Sequence, residues 1–198
     1  MVMGDRLVTA TTLAAVDFEE VKAHLNVLHK EDDHKIRNYI ESAIADIETE
    51  AGIVLCEQIR ECTFSRFPAR NGELVLPVRP ATAVTSVSYY DTTGVLTVLA
   101  DCQFLLTGFV GRILPPIDDC WPMTQATRAE PVVVRYTAGY GERADDVDVA
   151  DVPKDIIGAI KLLVADRYEN KGDDIRVKNG LPPTVMRVLY RHSIGTPA

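Results

Sequence analysis

Apolar residues recur along this chain with two different periods, and the changes between them mark its parts. Ile36, Tyr39, Ile40, Ala43, Ile44, Ile47 and Ala51 stand mostly three or four apart, with Glu41, Asp46, Glu48 and Glu50 between them. At about 100° per residue they share one face, so the segment predicts an amphipathic helix. Glu31, Asp32 and Asp33 supply the negative charge favoured at its start, and Gly52 closes it as a left-handed cap. Ahead of it, Asp17 and Glu20 have the spacing of a capping box and predict a short helix over 18–28.

From about residue 59 the period becomes two. Cys62, Phe64 and Arg66 alternate with Thr63, Ser65 and Phe67, and Asn71-Gly72 marks a turn before a strand at 73–78. Further strands are expected at 83–90, 95–99, 103–107, 112–114 and 132–136, with Pro115, Pro116 and Pro122 interrupting the chain around Trp121. Strands this short and closely spaced predict an antiparallel sheet or small barrel.

The helical period then returns over 153–170, where Pro153 sits in the first turn and its missing N–H costs nothing. Ile156, Ile157, Ile160, Leu163, Val164 and Tyr168 make one face, and Lys154, Asp155, Lys161, Asp166 and Glu169 the other. Leu162 falls in the middle of the polar face, either as one of the exposed apolar residues ordinary on a protein surface or as a place for a neighbouring subunit to pack. After a loop with Gly172, Asn179-Gly180 and Pro182-Pro183, a last helix is expected over 184–192, with Arg187 and Arg191 opposite Val185, Met186 and Leu189. The expected fold is α+β: a small α-helical core of about four helices with an antiparallel β-rich insertion between the second and third. Its parts are a helical segment 12–56, the insertion 57–137, a glycine corner, acidic loop and long helix over 138–170, and a basic tail 171–198.

Composition narrows the function. The 198 residues are 46% hydrophobic and 25% charged, ordinary for a globular protein, and no apolar run is long enough to suggest a membrane span. The N-terminus lacks the regions of a signal peptide, so synthesis in the cytoplasm is expected. With 21 Lys and Arg against 29 Asp and Glu, the net charge of -8 argues against a general nucleic-acid binder, which needs cations to replace counterions on phosphates. The charge is uneven. Residues 171–198 carry +3, from Lys171, Arg176, Lys178, Arg187 and Arg191 against Asp173 and Asp174, which leaves -11 for 1–170. Cys56, Cys62, Cys102 and Cys120 have neither zinc-site spacing nor a disulfide pattern and are expected as small buried hydrophobes.

No catalytic constellation emerges. Gly139, Gly141 and Ala144 match a dinucleotide-loop pattern after an apolar strand, but the next residues include Asp145, Asp146, Asp148 and Asp151, which would repel a pyrophosphate. The glycines are better read as a sharp corner, with Pro153, returning the chain from the β segment to the helices. The same aspartates lack the order of a calcium loop, and His24, His29 and His34, five apart, do not share a helix face as zinc ligands would. Trp121, beside Asp118, Asp119 and Pro122, is either a core residue or an interface anchor.

The order of short segments carries one further reading. Phe-Glu-Glu-Val-Lys-Ala-His-Leu (18–25) and Ile-Glu-Ser-Ala-Ile-Ala-Asp-Ile-Glu (40–48) precede Leu-Pro-Val-Arg-Pro (76–80) and Val-Thr-Ser-Val-Ser-Tyr (84–89). Gly-Arg-Ile-Leu-Pro (111–115), Val-Arg-Tyr-Thr-Ala-Gly-Tyr-Gly (134–141), Val-Pro-Lys-Asp-Ile (152–156) and Arg-Tyr-Glu-Asn (167–170) follow. Over about 12–192 this resembles the head-to-tail connector (adaptor, or head-completion) proteins of long-tailed bacteriophages and gene transfer agents. The resemblance implies a structural virion protein at the head-tail junction, made in the bacterial host cytoplasm, with no catalytic residue, cofactor or metal. It implies a ring of about twelve subunits beneath the portal, a tail-side stopper or tail-terminator partner, and DNA passing through without sequence-specific binding. The C-terminal helix is then expected to dock on the portal through Val185, Met186, Arg187, Leu189, Tyr190 and Arg191, and Leu162 and Trp121 are expected at the subunit interface. A small hydrolase or nucleotide-using enzyme built on the β block, or a monomeric interaction module, are the competing readings.

Overall fold

A computed structural model describes residues 2–144, 146–170 and 181–193. The loop expected around Gly172 and Asn179-Gly180, the tail cations Lys171, Arg176 and Lys178, and Asp145 lie outside the described residues. The chain forms two compact units, one of residues 1–11 and 57–139, the other of 12–56 and 140–198.

The first unit is all β. Its strands are Val2–Thr9 (β1), Gln58–Phe64 (β2), Leu74–Val75 (β3), Ala81–Tyr90 (β4), Leu96–Leu99 (β5), Gln103–Thr107 (β6), Val110–Leu114 (β7) and Val132–Ala138 (β8). A five-stranded sheet runs in the order β1-β2-β8-β4-β5, a three-stranded one in the order β3-β7-β6, and every pairing within them is antiparallel. Register decides what is buried. Phe64 faces Val132 and Cys62 faces Val134 across the β2–β8 pair, while Val87 faces Val134 across β4–β8. Since successive side chains point to opposite faces, these residues and Tyr136 form the inner surface, packed against Leu74, Leu76 and Ile113 of the smaller sheet. Gly111 is where the layers press closest: a Cβ there would stand 2.6 Å from that of Ala81 and 2.9 Å from Leu76.

Strand β1 was absent from the sequence-based expectation, because Met-Gly-Asp-Arg-Leu breaks the alternation. Two polar clusters hold it as an edge strand. On the inner side Asp5 pairs with Arg60 and accepts the Tyr136 hydroxyl at 2.9 Å. On the outer side Arg6 pairs with Glu61, which Arg135 also reaches at 3.0 Å. Burial pushes the Glu61 carboxyl up, and the two guanidiniums more than reverse this, leaving it below its ordinary range.

The second unit is built on the helices Phe18–Leu25 (α1), Asp33–Ala51 (α2), Lys154–Glu169 (α3) and Pro183–Ser193 (α4). Asp17 caps α1, its carboxylate accepting the Glu19 and Glu20 N–H groups at 3.2 Å each. The helix ends three residues earlier than expected, because Asn26 turns left-handed at φ 56° and its N–H closes on Ala23 O. The α2 stripe is buried as the spacing predicts, through Ile36, Ile40, Ala43, Ile47 and Ala51, and Gly52 caps it at φ 61°. It packs with Ile156, Ile160, Leu163 and Val164 of α3. The acidic segment is not a free loop. Glu142–Arg143 (β9) and Asp146–Ala150 (β10) pair antiparallel, and Ala14 bonds to Asp148 O and Ala150 N at 2.9 Å each. Four helices and antiparallel sheets make the α+β class expected.

Candidate functional site

Helix α4 carries the residues expected to meet a portal, and its two faces have different surroundings. Val185 and Leu189 are buried in the helical core beside α2 and α3. Met186 is half-buried, while Arg187, Tyr190 and Arg191 face outward, Tyr190 with 60% of its surface exposed. The helix is tied to α3 by His192 Nε2, 2.9 Å from Asp155 Oδ2, with the Arg191 guanidinium at 3.9 Å. Burial pushes the Asp155 carboxyl up, but the His192 hydrogen bond and charge hold it below the ordinary carboxylate range. The neighbouring Tyr140 phenol is pushed up to about 12, first by burial and then by the Asp155 charge. An outer face that carries Arg187, Tyr190 and Arg191, on a helix anchored by its inner face, is suited to binding.

Leu162 lies on α3 with 48% of its surface exposed. Next to it in the chain, Lys161 binds Glu20 Oε2 at 2.8 Å, and Glu20 also stands 3.9 Å from Arg143. Glu20 therefore spends its carboxylate on these cations instead of the reciprocal half of a capping box. Trp121 belongs to the β core: it stacks on Phe67 with centroids 4.5 Å apart and donates from Nε1 to Gly72 O at 2.7 Å. The structure thus separates the two residues expected at a subunit interface, leaving Leu162 accessible and Trp121 internal.

The glycine corner does what a bend requires. Gly139 takes φ 102°, a conformation that disfavours side chains, and its N–H bonds Pro80 O at 2.8 Å. Gly141 O accepts the Asp151 N–H at 2.7 Å, and Pro153 stands at the N-cap of α3. A strand and not a helix follows the glycines in the chain, unlike a phosphate-binding loop, which opens directly into a helix. Among the described residues no group of His, Cys, Asp and Glu is placed to hold a metal ion, and no helix is long and apolar enough to cross a membrane.

The cysteines depart in one case from the expectation of burial. Cys62 is buried, its thiol pushed up to about 12, first by desolvation, and Cys56 and Cys102 are half-buried. Cys120 is exposed, because Asp118 turns left-handed at φ 62° and Trp121, next in the chain, is drawn into the core.

Sequence reasoning missed the surface that the β unit presents. Val95, Leu96 and Val98 by β5, Leu105 and Leu106 on β6, and Ile117 and Met123 in the long connection before β8 are all exposed. Alternation marks buried positions well, but a strand whose outer face is also apolar gives no contrast to read.

Residues 16–94 match the family described as phage gp6-like head-tail connector protein. No curated protein matches the chain. Among solved structures, one chain from the virion of a native gene transfer agent particle is 26% identical, with a TM-score of 0.72, covering 96% of this chain and 94% of that one. A chain from the neck of a native particle computed with C12 symmetry is 25% identical, with a TM-score of 0.70 over the same shares. A third, from the neck of an empty particle computed with C6 symmetry, has a TM-score of 0.72 at 24% identity, covering 96% of this chain and 95% of that one.

Proposed function

We propose that this chain belongs to the head-tail connector family, whose model matches residues 16–94, and is a structural component of a virion neck and not an enzyme. It works as an adaptor ring that joins a portal to the tail and lines the channel through which DNA leaves. The carrying observation is the likeness, over nearly the whole of both chains, to protomers of gene transfer agent particles, one of them from a neck with C12 symmetry. Cyclic symmetry gives every subunit two different contact faces, and necks computed with C6 and with C12 symmetry both support a ring, for which twelve subunits is the number we propose. The chain's charge of -8 suits a channel in which DNA slides, since carboxylates make no lasting contact with phosphates. A tail-side stopper or terminator completes the set of partners.

Portal docking belongs to the outward face of α4, through Arg187, Tyr190 and Arg191, with Val185 and Leu189 holding that helix to the body and Met186 at the border. Removing 181–198 would open the helical core and confuse binding with folding. Charge reversal is the sharper test. In native mass spectrometry with a portal, Arg187→Glu, which leaves the Arg191–Asp155 pair in place, should strongly weaken the complex while leaving the thermal transition where it is; undiminished portal binding would remove the assignment. Wild-type protein that stays monomeric at high concentration with portal present would refute the ring.

A further inference from the structure

Charge divides between the two units as unevenly as exposed apolar surface does. Residues 12–56 and 140–170 hold 8 Lys and Arg against 18 Asp and Glu, whereas residues 1–11 and 57–139 hold 8 against 9. A like-charged surface resists a second copy of itself, so the body of the helical unit, at -10, opposes self-association, and the β unit, at -1, does not. Among the described residues, eight of the fourteen large hydrophobics left exposed lie on two short stretches of that near-neutral unit. They are Met3, Leu7 and Val8 on β1, and five residues within 95–106.

The two stretches mark opposite ends of one sheet. In the order β1-β2-β8-β4-β5, β1 and β5 are the edges, and no strand among the described residues pairs with the outer side of either. The register of β5 on β4 sends Thr97 and Leu99 inward beside Tyr89 and Val87, so Leu96 and Val98 point outward, Val98 with 67% of its surface exposed. This edge lacks charge, proline and bulge, three of the devices that keep edge strands from meeting another chain. Residues 100–102 lead straight into β6, where Leu105 and Leu106 extend the exposed apolar run. Strand β1 does carry charge, but its ions are engaged within the chain, Asp5 by Arg60 and the Tyr136 hydroxyl, Arg6 by Glu61. Covering Leu7 and Val8 therefore buries no unpaired ion.

The β unit thus has an apolar flank at each end of its larger sheet, and the two flanks differ. A cyclic ring requires that difference, since a head-to-tail contact joins two unlike patches and a two-fold contact joins a patch to itself. Sheet twist decides how they meet. Four steps of about 20–25° set β5 roughly 90° from β1. One step of a twelve-membered ring turns the next copy by only about 30°, so the two edges cross instead of continuing one hydrogen-bond ladder. We infer that neighbouring copies in the ring pack through their β units, side chains of Leu96 and Val98 in one copy against Leu7 and Val8 in the next.

The inference rests on the ring reading, and the test separates the two. Val98→Glu should cut the ring fraction seen by native mass spectrometry, alone and with portal, by tenfold or more at a fixed concentration with an unchanged thermal transition. Leu7→Glu should do the same, and Leu162→Glu, on the acidic unit, should not. For proximity, Cys120→Ser first removes the exposed native thiol. In that background Val98→Cys with Leu7→Cys and a short bismaleimide should give a denaturing-gel ladder of dimer, trimer and higher species, while Val98→Cys alone should give no dimer. Dimers from Val98→Cys alone would mean a two-fold contact and overturn the inference. Rings without the ladder, or rings lost in Leu162→Glu and kept in Val98→Glu, would overturn it and leave the ring intact. Slowed amide exchange in β5 that needs portal, with no ladder, would assign the flank to the portal and overturn it too. Failure of the wild type to form any ring would overturn both readings.

Discussion

The helical unit and the β unit both enclose an apolar core, but they differ in what they leave outside. Around the helices, Leu28, Leu162 and Tyr190 are the large hydrophobic residues exposed among those described. The β unit exposes Met3, Leu7 and Val8 on β1, the cluster on β5 and β6, and Ile117 and Met123. A helix satisfies its own backbone and needs only one buried stripe, whereas a sheet of this size has edges, and its outer strands keep donors and acceptors for a neighbour. The contrast teaches that the helical unit covers more of its own apolar surface. The β unit is the one whose surface calls for company, and assembly is where that company would come from.

The contrast breaks first if the two cores are not separate. Ile160 is fully buried between α2 and α3, so Ile160→Ala should cost about 2–5 kcal/mol in denaturant unfolding. Amide exchange should then show protection lost in α2 and α3 while β2, β4 and β8 keep theirs. Equal loss in both would make the molecule one cooperative body. The mirror experiment is Gly111→Ala, which forces a methyl into Ala81, Leu76 and Phe104 and should cost about 1–3 kcal/mol. Its exchange signature should fall on β4, β6 and β7.

How much of this was readable in the sequence follows from the same contrast. The buried stripe of α2 and the inner residues of β2, β4 and β8 were legible, because a period of 3.6 or 2 is itself the geometry of one-sided burial. Strand β1 was not, since Asp5 and Arg6 are charged and find their partners Arg60, Tyr136 and Glu61 more than fifty residues away. The β9–β10 hairpin was hidden for a related reason: aspartates read as solvent, and the bonds to Ala14 that order them are again distant. The outward face of α4 and the exposed Leu162 were legible, while Trp121 was balanced between core and surface until Phe67 and Gly72 O were placed around it.

Smaller changes sharpen the comparison within the helical unit. Asp17→Ala removes the acceptor for two N–H groups and should cost about 1 kcal/mol, with the loss centred on α1. Asp17→Asn should recover most of it, because the amide oxygen keeps the cap. A full loss in the Asn variant would mean that charge, not hydrogen bonding, stabilises this end.

The smallest effect lies at the tie between α4 and α3, and its sign is fixed by Asp155. The folded carboxyl is held below its ordinary range, so the folded state favours the ionised form. That contribution is fully present above the ordinary aspartate range, about 4, and is lost as pH falls through the lower folded value. Tyr140, raised to about 12, stays neutral throughout and adds nothing to the acid limb. Amide exchange of α4, once corrected for intrinsic rates, should accordingly accelerate as pH falls below about 4. Asp155→Asn retains an oxygen for the Ile156 N–H, which Asp155 Oδ1 now accepts at 3.0 Å, but removes the titrating charge opposite His192. Its α4 should therefore exchange faster at pH 7 and show a shallower acid limb. An identical acid limb in both proteins would assign the loss to other carboxylates and leave α4 held by Val185 and Leu189 alone.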